Sequence, residues 1–377
     1  MKIIVITDHF GGGGGVNSFV FDLCYSFIEQ KQDVLLIGLL KTQNESEEIN
    51  ELAQKGVQIL RLNAIGMRDA LLKKLKTLRN IIKEYSNGEN TVCNLHLKRS
   101  TLIGSLATIG MKSIKCIETY HNTYHHYHLQ CFFQKMFIKK YICVSEEARR
   151  EMLRRFHTAK NKTISIPNGI SRRRIREFVS NTANTDGSSS SAELNIVSVG
   201  RLSYEKNFSI PIKAISSIWD RNIKYTIVGG GPEENALREL SNDSTRITLL
   251  GSLPREKAIQ ELSKGSILIM SSLWEGRSIL QLEAAALDMP MILSDVPGLR
   301  EPFHEKELDS TELFRVCSFG YLVRTNDVDS YKAAVCHYYD NRKELEDGMK
   351  ASVGKMSIEN DMKSVACRYI DCFKDCF

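Results

Sequence analysis

Short apolar runs divide this chain into two series, and nearly every run ends in a glycine or a polar loop. The first series lies at residues 2–7, 33–40, 91–97, 113–120, 141–144 and 163–166. The second lies at 194–199, 224–228, 247–250, 266–270 and 291–293. Runs this short and this apolar read as strands buried on both faces, as parallel sheets require. Helical spacing falls between them. Val16, Phe19, Val20, Leu23, Cys24, Phe27 and Ile28 form one apolar stripe after the first run, the face of a helix packed on a sheet. Strands alternating with helices predict an α/β fold of doubly wound parallel sheets. A length of 377 residues suits two such domains.

The break between the series is compositional. Residues 171–192, SRRRIREFVSNTANTDGSSSSA, run from basic to small and polar, which reads as a linker. Arg172, Arg173, Arg174 and Arg176 are alternatively a patch for phosphate or membrane. The expected organisation is a first domain at 1–170, a linker at 171–193, a second domain at 194–355 and a C-terminal helix at 356–377 that packs back toward the first domain.

Open α/β sheets bind ligands at the carboxyl ends of their strands, so the loops there carry the functional argument. The first holds FGGGGG, residues 10–15. A dinucleotide fingerprint starting at Gly11 needs glycine at 16, where Val16 stands; starting at Gly12, it meets Asn17. The second strand ends Gly38-Leu39-Leu40-Lys41, without the acid that holds an adenosine ribose. A nicotinamide-dependent oxidoreductase is therefore disfavoured. What remains is a helix N-terminus whose amides suit an anion or a hydroxyl. His121 follows the strand at 113–120 and opens HNTYHHYH. Four histidines in eight residues raise zinc, but no HExxH or carboxylate partner accompanies them. A substrate contact in an interdomain cleft suits His121 better.

In the second series four loops gather along one sheet edge. They bring Arg201 and Lys206, the turn Gly229–Gly231, the turn at Gly251, and Glu275 with Glu283. Two cations beside glycine turns suit a pyrophosphate. Two acids around a helix start suit sugar or ribose hydroxyls. Together they describe a nucleotide-sugar pocket.

These segments resemble the retaining glycosyltransferases of family 4 (GT4), which have the GT-B fold of two Rossmann-like domains facing a central cleft. GRLSYEKN resembles the family's G-R-x-x-x-x-K-N, VGGGP its V-G-x-G-P turn, and EGRSILQLE its E-x7-E motif. IPNGI at 166–170, YHN at 120–122 and GGGGGV at 11–16 also follow the family's order. The resemblance implies that Arg201 and Lys206 bind the donor diphosphate, that Glu283 holds the ribose, and that Glu275 holds the donor sugar. It implies that amides near Ser278 and Ile279 approach the sugar and distal phosphate. His121 would contact the donor sugar, and Gly14 and Gly15 would lie near the diphosphate and acceptor. Arg277 and Ser278 depart from the family's usual small or Phe-Gly pair, which leaves the donor sugar open. The implied chemistry is retaining transfer from a nucleotide sugar, UDP-linked by family weight, with no metal or other cofactor. The glutamates then bind rather than act as a glycosidase acid/base pair. A GT-B-like protein that binds nucleotide sugar without turnover is the alternative.

Charge bears on the acceptor. Residues 1–190 carry 28 Lys/Arg and 17 Asp/Glu, a balance of +11; the remainder carries 23 and 28, a balance of −5. A basic half favours an anionic partner. The stretch 70–85 has Leu71, Leu72, Leu75, Leu78, Ile81 and Ile82 on one helical face and lysines around the rest, a pattern that can lie on an anionic bilayer. The expected acceptor is a glycan or lipid-linked glycan precursor, with an anionic membrane surface as a candidate partner and no nucleic acid. Ten cysteines without a CxxC pair suit a reduced cytoplasmic compartment. The first apolar run soon meets Asp8 and His9, so it reads as a strand rather than a signal peptide. No apolar run approaches the ~18 residues of a membrane span. The expected place is the cytoplasm, peripherally at the inner membrane face.

Overall fold

A computed structural model describes residues 1–11, 14–42, 45–64, 73–121, 136–155, 158, 160–180, 193–241 and 244–377. Two compact units result, one of Met1–Gly169 with Met362–Phe377 and the other of Ile170–Asp361.

The first unit is a seven-stranded parallel sheet. Its strands are β1 (Lys2–Thr7), β2 (Asp33–Leu40), β3 (Gln58–Ala64), β4 (Thr91–His96), β5 (Ile114–Tyr120), β6 (Ile138–Cys143) and β7 (Thr163–Ser165). Their order is β3-β2-β1-β4-β5-β6-β7. Direction along the sheet reverses at β1, which pairs in parallel with both β2 and β4. Ile3, Ile4, Val5 and Ile6 are wholly buried, because helices cover both faces of a central parallel strand. The helix Gly15–Glu29 buries Phe19, Val20, Leu23 and Phe27 as its spacing predicts. Phe27 also meets the ring of Phe373 at 5.8 Å, on the C-terminal helix Met362–Lys374 that completes this unit. β3 was not among the expected strands; QILRLNA alternates too many polar residues to read as a buried run.

The second unit repeats the plan with β8 (Leu194–Val199), β9 (Ile223–Val228), β10 (Ile247–Gly251), β11 (Ile267–Met270), β12 (Met291–Ser294), β13 (Phe314–Cys317) and β14 (Gly320–Val323). Their order is β10-β9-β8-β11-β12-β14-β13, and reversal falls at β8. Among the described strands of this unit only β13, paired with β14, runs antiparallel. That hairpin was also unread: FRVC carries a charged residue within it, and GYLV opens on a glycine. The helix Val328–Glu359 packs across this sheet and buries Tyr331, Val335 and Tyr338.

Two boundaries differ from expectation. The start of the expected linker is the helix Arg172–Ser180, part of the second unit. Arg172 forks onto both oxygens of Asp288 at 2.6 and 2.8 Å, and Arg176 reaches Asp288 Oδ2 at 2.7 Å. One turn apart, the two arginines share a helix face, and Ile175 is buried on it. They are therefore pinned to Asp288, which corrects the reading of them as an anion patch. Residues 181–192 of the linker lie outside the described residues. The expected helix 356–377 is two helices that break at Asn360 and Asp361, where the Ile170 amide donates to the Asn360 carbonyl at 2.9 Å.

The basic helix spans Lys73–Ser86; residues 65–72, with Leu71 and Leu72, lie outside the described residues. Leu78 and Ile82 are wholly buried in the first unit's core, with Leu75 and Ile81 packed beside them. The apolar face thus lies in the core, and only its polar side, with Lys76 and Lys83, is exposed. Among the described residues, no helix is long and apolar enough to cross a membrane.

Candidate active site

The topology of the second unit decides which side chains meet. Reversal at β8 leaves the loops after β8 and β11 side by side. The loop after β8 carries Arg201, Ser203, Glu205 and Lys206; the loop after β11 carries Ser271 through Ser278. They are stitched by the Leu273 amide donating to the Glu205 carbonyl at 2.8 Å and by Ser271 Oγ donating to the Lys206 carbonyl at 2.7 Å. Lys206 Nζ, so placed, donates to Glu275 Oε1. The same oxygen accepts from Ser272 Oγ at 3.0 Å. Glu275 is mostly enclosed, its side chain 13 % exposed, against 27 % for Lys206.

Arg201 is exposed beside this pair. Burial would raise the Glu205 carboxyl, yet it sits below the usual carboxylate range. The Ser203 hydroxyl at 2.6 Å, its own backbone amide and the charges of Lys206 and Arg201 outweigh burial. The site therefore holds two cations and two carboxylates, and a phosphate entering it would compete for the cations.

The glycines are where the backbone comes closest. A Cβ on Gly229 would stand 1.8 Å from the Gly200 carbonyl oxygen, and one on Gly231 would stand 2.3 Å from that of Leu202. Gly229 also has φ +150°, a conformation other residues rarely adopt. The turn after β9 thus lies directly against the loop that carries Arg201. Gly251 ends β10 and accepts from the Gly229 amide at 2.8 Å.

Ser278 caps the helix Ile279–Ala286, accepting from the Gln281 amide at 3.4 Å; a helix start of this kind suits an anion. Glu283 lies within that helix, buried, and its Oε1 accepts from Arg255 Nε at 3.0 Å. Both side chains are nearly enclosed, Arg255 at 7 % and Glu283 at 11 %. Sequence reasoning missed Arg255. Its signal was an arginine just past Pro254, at the start of the helix Arg255–Ser263. Arg277 does not stand open as a spare cation: it donates to Asn360 Oδ1 at 3.0 Å. Burial lowers it to about 10, against the opposing charge of Glu301.

In the first unit, Gly14 is the extended residue before the helix Gly15–Glu29, and its carbonyl accepts from the Asn17 and Ser18 amides at 3.0 and 3.2 Å. Gly14 and Gly15 are exposed; Gly12 and Gly13 lie outside the described residues. Asn17 Nδ2 ties the loop by donating to the Gly11 carbonyl at 2.7 Å. His121 stands just past β5, its Nε2 2.9 Å from His96 Nδ1. His96 Nε2 lies 2.7 Å from Asn94 Oδ1. Burial lowers both imidazoles, His121 to about 3 and His96 well below its ordinary value. Both rings are neutral at pH 7. His125, His126 and His128 lie outside the described residues. Among the described residues, no group of three or more His, Cys, Asp or Glu is placed to hold a metal ion.

Comparison with known proteins follows the same division. Residues 13–174 match the family model described as Glycosyltransferase Family 4, and residues 193–341 match that described as Glycosyl transferases group 1. Between them the two models take in most of the chain. It belongs to the GT4-type glycosyltransferases. One relative of this family, the UDP-Gal:alpha-D-GlcNAc-diphosphoundecaprenol alpha-1,3-galactosyltransferase of Escherichia coli, is 21% identical over 321 residues, 79% of each chain. Among solved structures, a glycosyltransferase from Rickettsia africae superposes with a TM-score of 0.77 at 15% identity, covering 100% of this chain and 98% of that one. HepE from Anabaena, in complex with UDP and glucose, gives 0.77 at 14% identity and 99% coverage of both. The fold of this glycosyltransferase is thus GT-B, with two Rossmann-like parallel sheets.

Proposed function

We propose that this glycosyltransferase moves a sugar from a UDP-sugar to a hydroxyl of a lipid-linked glycan precursor, with retention and without a metal. The observation that carries the proposal is the Lys206–Glu275 pair at the β8/β11 edge, with Arg201 beside it. A donor diphosphate draws Lys206 and Arg201 and releases the Glu275 carboxylate to accept from the sugar's hydroxyls. As the glycosidic bond breaks, charge grows on the distal phosphate. The two cations and the amides at Ser278 and Ile279 stabilise that charge more in the transition state than in the ground state. The acceptor hydroxyl attacks from the face the phosphate leaves and passes its proton to that phosphate. Glu283, oriented by Arg255, holds the ribose. The turns at Gly229, Gly231 and Gly251 let the nucleotide approach the backbone. Gly14 and Gly15 face the diphosphate and acceptor, and His121 contacts the sugar.

The Escherichia coli relative, named for a UDP-sugar donor and a diphosphoundecaprenol-linked acceptor, supports this choice of substrates. The excess of basic residues before 190 favours such an anionic acceptor and peripheral work at the inner membrane face. Thermal unfolding with UDP, GDP, ADP and their sugars tests the donor. A ligand held only by the native state raises Tm, by an amount equivalent to about 2.7 kcal/mol at a hundredfold excess over Kd. UDP-sugars should raise it and ADP-sugars should not. Turnover in EDTA tests metal independence, and a donor that binds yet is never consumed across a panel of lipid-linked acceptors would instead mark a binding protein.

A further inference from the structure

His96 has no part in the chemistry just described, yet it is wholly buried at the centre of a polar chain. Asn94 and His96 alternate onto one face of β4. Asn94 Nδ2 donates to the Ile117 carbonyl at 3.3 Å and to Thr119 Oγ1 at 3.0 Å. A carbonyl can only accept, so the amide orientation is fixed, and Asn94 Oδ1 is the atom that faces His96 Nε2. His96 Nε2 therefore carries the proton. A neutral imidazole has only one, so His96 Nδ1 is an acceptor. Its neighbour His121 Nε2, 2.9 Å away, must donate, and His121 keeps its lone pair on Nδ1. Phe19 sets its ring edge-on to His121 at 5.5 Å and tilts against His96 at 6.3 Å, which shields the chain. Burying an amide and two imidazoles gains little over apolar packing, since each group must first be desolvated.

We propose that His96 is a positioning residue for glycosyl transfer: by accepting the Nε2 proton of His121, it fixes the ring and tautomer with which His121 meets the donor. The consequence is chemical. His121 offers a lone pair, so the group it receives is a proton donor such as a sugar hydroxyl, not a carbonyl or phosphate oxygen. The proposal rests on the reading of His121 as a donor contact.

The test joins spectroscopy to kinetics. Long-range ¹H–¹⁵N spectra of histidine-labelled enzyme, with the His121 signals assigned by their loss in His121→Gln, should show the Nε2–H tautomer. In His96→Leu, which removes the acceptor, the tautomers should mix. UDP release from UDP-galactose, UDP-glucose and UDP-N-acetylglucosamine should then slow about 10–100-fold in kcat/KM, the range for lost outer-shell support. His96→Asn places Oδ1 near the position of the lost Nδ1, and should recover both the tautomer and most of the rate. A wild-type Nδ1–H tautomer would overturn the proposal. So would a His96→Leu enzyme unchanged in rate beside an impaired His121→Ala. A fully active His121→Ala would overturn the donor-contact reading itself, and this proposal with it.

Discussion

At the carboxyl ends of β4 and β5 in the first unit the groups that meet are neutral: the His121 and His96 imidazoles, the Asn94 amide and the Thr119 hydroxyl. At the β8/β11 edge of the second they are ions: Lys206 on Glu275, and Arg255 on Glu283 nearby. Both lie at the carboxyl ends of neighbouring parallel strands. The difference shows that a doubly wound sheet fixes where a site lies but not its electrical character. The neutral edge can orient a ligand by hydrogen-bond direction alone. The ionic edge can follow the charge that appears when a diphosphate departs.

The comparison breaks first at Glu275. If the ionic edge carries the transfer, Glu275→Ala should lower kcat by about 10²–10³-fold, as loss of a preorganised transition-state contact does, with unfolding little changed. Turnover near wild type would move the chemistry elsewhere. Arg255→Ala comes next and reads out as stability. It leaves the buried Glu283 carboxylate without this partner, at a cost of about 3 kcal/mol. Arg255→Ala with Glu283→Gln should recover most of that loss, because the uncompensated charge is gone. A double variant as unstable as the single one would mean that packing of Arg255, not its charge, matters.

How much of this was readable beforehand depends on what each residue answers to. That the Lys206 and Glu275 loops meet could be read because motif spacing sets loop position, and parallel topology brings loops after neighbouring strands together. Among the described residues, eleven of the fourteen strands could be read from apolar runs; β3 and the β13–β14 hairpin could not, since QILRLNA is half polar, FRVC carries Arg315 within it and GYLV opens on a glycine. Helix Arg172–Ser180 was hidden for another reason. Its arginines look solvated by composition, and only the fold supplies Asp288 to hold them. Arg255 and His96 were missed, and the tie of Arg277 to Asn360 was hidden, for one reason. Their partners Glu283, Asn360 and His121 are tens of residues away in sequence, and local spacing says nothing about such pairs.

The neutral edge has its own signature in pH. Burial holds His121 at about 3, below its unfolded value near 6.5. The unfolded chain therefore binds a proton the native site refuses, and this contribution to stability is lost as pH falls from about 6.5 toward 3. Its slope is at most about 1.4 kcal/mol per pH unit. Glu118 acts in the opposite sense: burial lifts its carboxyl to about 7 against the Thr101 hydrogen bond, so its contribution is complete below about 4.5 and fades as pH rises through 7. A difference measurement isolates the histidine. His121→Gln should gain stability relative to wild type as pH drops below about 6.5, and parallel Tm curves for the two would show that His121 charges freely in the native site.

The smallest effect separates ion pairs that a fold uses from those it only displays. Arg172 and Arg173 are adjacent and chemically identical, and composition gives no reason to rank them. Arg172 is 24 % exposed and makes four hydrogen bonds, two to Asp288 and one each to the Gly354 carbonyl and Ser357 Oγ. Arg173 is 65 % exposed, and its Nε stands 3.7 Å from Glu177, itself 59 % exposed. Hydrogen bonds to charged groups contribute about 1.5–3 kcal/mol each when enclosed, but neighbours share the burden and water reaches this site. Arg172→Ala should therefore cost about 2 kcal/mol in urea unfolding, and Arg173→Ala under about 0.5 kcal/mol. Raising salt to 1 M shortens the screening length to about 3 Å, which should erase the Arg173 term and leave most of the Arg172 term in place. Equal losses in the two variants would mean that the helix Arg172–Ser180 is held by its apolar face, with Asp288 incidental.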